Sequence, residues 1–247
     1  MGRNFSVFIN NTVKKINKSI FVESDKSISH RALLIASQCF GPSILKNILE
    51  SEDVKNTINC LRKLGVKIIK KNKTYIVYGN GLGSFKKPQN NSLFAGNSGT
   101  LARMLIALIS THDNLKVKIL GDNSLNKRDM QRIILPLSKI GCNFYPKNKT
   151  TLPLVIEGTS MPLAMNHEES IGSAQVKSAI LLAALNTPGI TRVEEKVISR
   201  NHTENLLTTI NANIKILKKK KGNTISIQGQ KNLYGFNLEI PGDPSSA

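Results

Sequence analysis

The chain has 247 residues, 40% of them hydrophobic, enough for a sizeable core and too many for wholesale disorder. Lys and Arg number 35 against 16 Asp and Glu, a formal net charge of +19, which directs attention to anionic partners. Only eight of those cations are Arg, and with no Trp and 5% aromatics the interleaving that nucleic-acid surfaces use is missing.

Taken in chain order, residues 19–23 read as a strand. SISHRALLIA (27–36) follows as a helix apolar on most faces, which must therefore be buried. Residues 51–65 place Val54, Ile58, Leu61 and Leu64 at helical spacing, with Gly65 as the stop. Strands are expected at 66–69 and 74–78. Residues 79–83 (GNGLG) resemble a dinucleotide loop, but no helix follows, so they read as a hairpin turn. SGTLARMLIA (98–107) is a second apolar helix. Residues 129–141 form a second amphipathic one that Pro136 should bend or shorten. Strands at 144–145 and 152–156 lead to a third apolar helix, SAQVKSAILLA (173–183). Its amphipathic companion spans 201–213, where Asn201 and Glu204 are spaced as an N-cap and its N3 carboxylate. Strands at 214–217 and 224–228 flank the lysine run 218–221, a hairpin turn ending in Gly222-Asn223.

The three apolar helices share a plan: a Ser at the start, a cation four or five residues on, then small and aliphatic residues. Their serines, Ser27, Ser98 and Ser173, are 71 and 75 residues apart. The chain therefore contains three repeats of about 70 residues, each a strand, helix, strand, helix, strand, strand, packed as a pseudo-threefold α/β domain around buried helices. The helix starts carry Ser or Gly beside Lys26, Arg31, Arg103, Arg128 and Arg200. Helix N-termini attract phosphate and carboxylate groups, and these cations would add forked or mobile charge. The serines have a plainer role open to them, as N-caps.

Cys39, Cys60 and Cys142 are odd in number and form no CxxC pair, so neither a disulfide framework nor a zinc site is expected, and a reducing cytoplasm fits. The four histidines show no ligand spacing, no run approaches a membrane span, and no secretion signal is visible. No metal, cofactor, membrane or nucleic-acid partner is expected.

SDKSISHRALL (24–34), GNSGTLAR (96–103), GDNSLNKR (121–128), GSAQVKSA (172–179), SRNHTE (199–204) and PGDPSSA (241–247) together resemble, in order, the signatures of the 5-enolpyruvylshikimate-3-phosphate synthase family. The Ser-Ala-Gln variant resembles its glyphosate-tolerant bacterial subclass. The resemblance implies an enolpyruvyl transferase-like lobe of three βαβαββ units, an inside-out α/β barrel. It also implies transfer of the enolpyruvyl group of phosphoenolpyruvate to the 5-hydroxyl of shikimate 3-phosphate with release of phosphate. That activity serves chorismate and aromatic amino-acid synthesis in the cytoplasm, in a monomer. By the same resemblance Lys26 contacts both substrates. Ser27, Arg31, Ser173, Ala174 (through its backbone), Gln175 and Arg200 hold shikimate 3-phosphate. Asn97, Gly99, Arg128 and Gln175 line the phosphoenolpyruvate pocket.

Two departures stand out. Asp129 follows Arg128 where the family usually has Pro, and is placed either to draw Arg128 away or to cap the next helix. Asn201 stands for a usual Asp. The family enzymes are far longer than this chain, so residues 24–235 are expected to form one lobe, with 1–23 and 236–247 belonging to a second lobe largely missing here. The acid and base residues come from that second lobe, so no catalytic residue is expected in the chain, which alone would be a non-catalytic lobe binding phosphate ligands. The related enolpyruvyl transfer to UDP-N-acetylglucosamine is disfavoured, because that relative uses a loop cysteine and Cys142 sits in a core-like segment.

Overall fold

The computed structural model describes residues 22–113 and 115–243. The first repeat contains α1 (Lys26–Ala36), β1 (Phe40–Lys46), α2 (Glu52–Lys63), β2 (Lys67–Lys71) and β3 (Thr74–Asn80). The second runs β4 (Ser92–Phe94), α3 (Gly99–Ser110), β5 (Lys116–Leu120), a 3₁₀ turn at Leu125–Lys127, α4 (Gln131–Lys139), β6 (Asn143–Tyr145) and β7 (Leu154–Glu157). The third runs β8 (Asn166–Glu169), α5 (Ala174–Leu185), β9 (Ile190–Glu195), α6 (His202–Thr209), β10 (Ile214–Lys218) and β11 (Asn223–Gln228), and β12 (Asn237–Glu239) follows.

These strands make three four-stranded sheets, ordered β12-β1-β3-β2, β4-β5-β7-β6 and β10-β11-β9-β8. Each has one parallel pair (β12 with β1, β4 with β5, β8 with β9) and two antiparallel pairs. The sheets pack outside α1, α3 and α5. Those helices are buried on nearly every face, as their all-round apolar sequences predict, and α3 packs against both of the others. Pro136 lies inside α4, which is only nine residues long.

Several local expectations are corrected. Residues 19–21 of the expected first strand lie outside the described residues, and Val22 and Glu23 are not in a strand. The first sheet instead takes its parallel strand from β12, with Leu45 beside Leu238. Asn237–Glu239, within the segment expected to belong to a second lobe, thus complete the sheet of the first repeat. Residues 79–83 make no hairpin. Gly79 belongs to β3, whose tight turn lies at Asn72-Lys73, and the chain then leaves for the second sheet. Ser27 does not cap α1. Asp25 does, accepting the Ile28 amide at 2.7 Å. Asn201 makes no side-chain cap, and Glu204 points away into the interior. The lysine run does close the β10–β11 hairpin, with Lys218 opposite Asn223.

Candidate functional site

The N-terminal ends of α1, α3 and α5 meet. Between α1 and α3, the Ser98 hydroxyl donates to His30 Nε2 at 3.3 Å, while His30 Nδ1–H donates to Thr57 Oγ1 at 2.6 Å. Thr57 spends its own proton on the Asp53 carbonyl, and Ser98 accepts the Leu101 amide, which fixes this tautomer. Between α3 and α5, Gln175 is gripped at both ends: its Oε1 accepts from Arg103 Nη1 at 2.6 Å and its Nε2 donates to Thr100 Oγ1 at 3.0 Å. Arg31 crosses from α1 to α6 and α5, donating to Thr203 Oγ1 (2.8 Å), Ser178 Oγ (3.0 Å) and, in its own helix, the Ser27 carbonyl (2.9 Å).

The cations expected here gather at this end. Arg128 and Arg200 are exposed, Arg103 is partly buried and Arg31 is buried. None of these four arginines has a carboxylate ion pair among the described residues, whereas Lys26 reaches Asp53 at 3.1 Å. The arginines also repel one another. Burial, and then Arg200, pulls Arg31 down to about 10, with Glu204 and Asp25 partly offsetting. Burial, and then Arg128 and Arg132, lowers Arg103. Burial depresses His30 to about 4; Asp53 opposes this while Lys26 and Arg31 add to it, so its ring is neutral. Three helix N-termini, and guanidinium groups without carboxylate ion pairs among the described residues, favour an anion at this end.

Asn97 and Arg128 are joined directly, since Arg128 Nη2 donates to Asn97 Oδ1 at 2.6 Å. Asn97 is held in turn by Asp122, which accepts from its Nδ2 at 2.8 Å. A methyl group on Gly99 would sit 2.8 Å from Arg103 Nη1 and 3.3 Å from Arg128 Nη1, so both guanidinium groups close over this glycine. Asp129 turns toward the following helix: its Oδ1 accepts the Gln131 amide at 3.0 Å at the start of α4, whose N-cap is Met130, and its carbonyl accepts from Arg103. Ser173 caps α5 through the Val176 amide, next to Ala174. Arg31 is placed differently from a surface anion clamp, because three of its five N–H groups are engaged by helices α1, α5 and α6.

Sequence reasoning left some contributors out of the site. Arg103 was visible as a repeat cation, but its hold on Gln175 depends on α3 and α5 being neighbours. Asp53 reads as an ordinary acidic residue in the first turn of α2. Glu169 holds the 170–173 loop by accepting the Ile171 and Ser173 amides. All three cysteines are free and buried. Burial pushes the Cys39 and Cys60 thiols up to about 12 and raises Cys142 too, whose Sγ lies 3.4 Å from the Glu157 carbonyl. None of them resembles an activated nucleophile.

Comparison with known proteins agrees with this fold. A family model described as EPSP synthase (3-phosphoshikimate 1-carboxyvinyltransferase) matches residues 10–247. The 3-phosphoshikimate 1-carboxyvinyltransferase of Zymomonas mobilis is 41% identical over 233 residues, 94% of this chain and 51% of that protein. The protein of the same name from Sulfurihydrogenibium is 42% identical over 236 residues, 95% of this chain and 54% of its own length. Among solved structures, EPSP synthase from Acinetobacter baumannii superposes with a TM-score of 0.84 at 35% identity, covering 92% of this chain and 50% of that one. The chain spans about half the length of the curated relatives it matches. With the family model spanning nearly all of its residues, the chain belongs to the EPSP synthase family.

Proposed function

We propose that this chain forms the shikimate 3-phosphate lobe of a 3-phosphoshikimate 1-carboxyvinyltransferase, which joins the enolpyruvyl group of phosphoenolpyruvate to the 5-hydroxyl of shikimate 3-phosphate and releases phosphate. The observation that carries this reading is the end of the molecule where α1, α3 and α5 meet, with Arg31, Arg103, Arg128 and Arg200 lacking carboxylate ion pairs among the described residues and Gln175 fixed between Arg103 and Thr100. Two multiply charged anions must be held side by side for the reaction, and preset cations and helix ends lower the cost of bringing them together.

In this reading Arg200, Ser27, Ser173, Gln175 and the Ala174 backbone hold shikimate 3-phosphate, with Arg31 beneath them offering its remaining N–H groups. Asn97, Gly99 and Arg128 form the phosphoenolpyruvate side, and Lys26, tethered by Asp53, reaches both. Arg103 acts through Gln175. The carboxylates nearby are engaged elsewhere: Asp25 and Asp129 on backbone amides, Asp53 on Lys26, Asp122 on Asn97. The groups that move protons therefore come from outside this chain, and the chain alone binds without turning over. The setting is the cytoplasm, as part of a monomeric enzyme that needs no nucleic acid, membrane, metal or cofactor. Among the described residues no helix is long and apolar enough to cross a membrane.

Calorimetric titration of the purified chain with shikimate 3-phosphate, with phosphate release from phosphoenolpyruvate followed on the same sample, tests this. Saturable binding that weakens with salt, without turnover, is the expected result. A chain that melts cooperatively and shows no binding overturns the reading. The transfer to UDP-N-acetylglucosamine loses its main requirement, because Cys142 is buried with its thiol raised.

A further inference from the structure

Lys177 is fully buried, and its ammonium lies 2.7 Å from Glu195 Oε1 and 2.6 Å from Glu204 Oε1, both carboxylates also being buried. Taking three charges out of water carries a large desolvation penalty before pairing, so such a cluster is a poor device for stability alone. Its neighbours suggest another use. Glu195, at the end of β9, also accepts from the Ser199 amide (2.7 Å) and hydroxyl (2.6 Å), and so holds the 196–199 segment that presents Arg200. Glu204 lies in the first turn of α6 beside Thr203, which bonds Arg31, and Lys177 is followed by Ser178, which bonds it too. Glu204 Oε2 is buried with no hydrogen-bond partner. Counted formally, two carboxylates and one ammonium carry one surplus negative charge, and Glu204 acts electrostatically on Arg31.

We propose that Lys177 is a positioning residue: by tying up Glu195 and Glu204 in the interior, it keeps those carboxylates from capturing Arg31 and Arg200 and leaves both arginines open to an anionic ligand. This rests on the reading of this end of the molecule as an anion site. Without Lys177, Glu204 is released as a countercharge for Arg31, on which it already acts, and for Arg200, which acts on His202 together with Glu204 and Arg31.

The test has one arm that needs no ligand. Phenylglyoxal labelling of Arg200 is followed by peptide mass spectrometry in the 247-residue chain, with exposed Arg62 as internal reference. Shikimate 3-phosphate affinity is measured beside it. Lys177→Met should slow labelling of Arg200 about fivefold and weaken binding about tenfold. Lys177→Met combined with Glu204→Gln restores the net charge of the cluster and spares the Glu195–Ser199 bonds, so both readouts should return to within about twofold of the parent. A merely structural lysine would not be rescued in this way. Glu204→Gln alone, which keeps Lys177 paired with Glu195, should label at least as fast as the parent, and it carries the test if Lys177→Met does not melt cooperatively. Unchanged labelling in Lys177→Met, no recovery in the double variant, or slower labelling in Glu204→Gln overturns the inference. If the variants show this labelling pattern but the parent chain binds no shikimate 3-phosphate, the site reading falls and the role of Lys177 stands. If it binds and the pattern is absent, only the role of Lys177 falls.

Discussion

The two ends of α1, α3 and α5 are built on opposite principles. At the C-terminal ends the three repeats are alike. The amides of Cys39, His112 and Thr187 donate to the carbonyls of Ala36, Ile109 and Ala184, each three residues back. In each case a glycine from the end of an antiparallel strand lies against that same pair of carbonyl-bearing residues: Gly79, Gly158 and Gly229. Helix ends leave carbonyls without intrahelical partners, and only a residue lacking Cβ lets a strand come this close to them. At the N-terminal ends the repeats diverge. The caps are Asp25, Ser98 and Ser173, and the repeat cation follows six, five and four residues later. Each residue turns a helix by about 100°, so these cations leave their helices in different directions. Arg31 crosses to α5 and α6, Arg103 grips Gln175, and Lys177 turns inward to two carboxylates. Repetition closes the fold at one end, and departure from it sends the three cations to different partners at the other.

The largest expected effect lies at the closing end. Gly79→Ala, Gly158→Ala and Gly229→Ala would each drive a methyl group into backbone carbonyls, which cannot swing aside as a side chain would. Each should lose about 3 kcal/mol or more in urea unfolding, or fail to fold. The three losses should be similar. One tolerant glycine among them would break the equivalence.

A pH experiment compares the ends through two histidines. His30 sits between Thr57 and Ser98 at the site end, and His112 is stacked on Phe85 at the other, with ring centroids 4.7 Å apart. Burial holds both near 4, against an ordinary 6.5. Between those values the unfolded chain binds protons that the folded chain refuses, so this stability is present above pH 6.5 and lost as pH falls toward 4. The loss is about 3 kcal/mol for each ring. His112→Phe should flatten its share of the acid limb and leave shikimate 3-phosphate binding within about twofold. His30→Leu should flatten the limb equally and also weaken binding, because Ser98 and the Asn97–Gly99 turn lose their anchor. Equal binding losses in both variants would erase the functional difference between the ends.

Much of this was legible in the sequence because the relevant physics is local. Helices apolar on every face must be buried, and Ser, Gly and cations at their starts announce a preference for anions. The failures share a cause in contacts distant along the chain. Glu204 has the spacing of a capping carboxylate, yet Lys177, 27 residues earlier, claims it. Asp25 and Ser27 both suit an N-cap, and counting from Ser27 puts Arg31 four residues on where the cap, Asp25, puts it six on. Nothing near residue 24 shows that β12, some 200 residues on, supplies the first parallel strand. Gly79 reads as turn chemistry until the end of α1 is seen behind it.

The smallest change in stability, and the most selective test of the site end, is Gly99→Ala. Gly99 opens α3 without a positive φ, so alanine fits its backbone and helix propensity favours the exchange by up to about 1 kcal/mol. Its methyl group meets only the tips of Arg103 and Arg128, flexible groups that can withdraw. Stability should therefore stay within about 1 kcal/mol of the parent in urea unfolding. The geometry around the glycine should not survive as well, since Arg128 is fastened to Asn97 and Arg103 to Gln175. Phosphoenolpyruvate binding, measured with shikimate 3-phosphate present, should weaken about tenfold, while shikimate 3-phosphate itself loses no more than about threefold. The reverse pattern would exchange the two anions between the Arg128 and Arg200 sides. Equal losses would mean that Arg103, through Gln175, governs both.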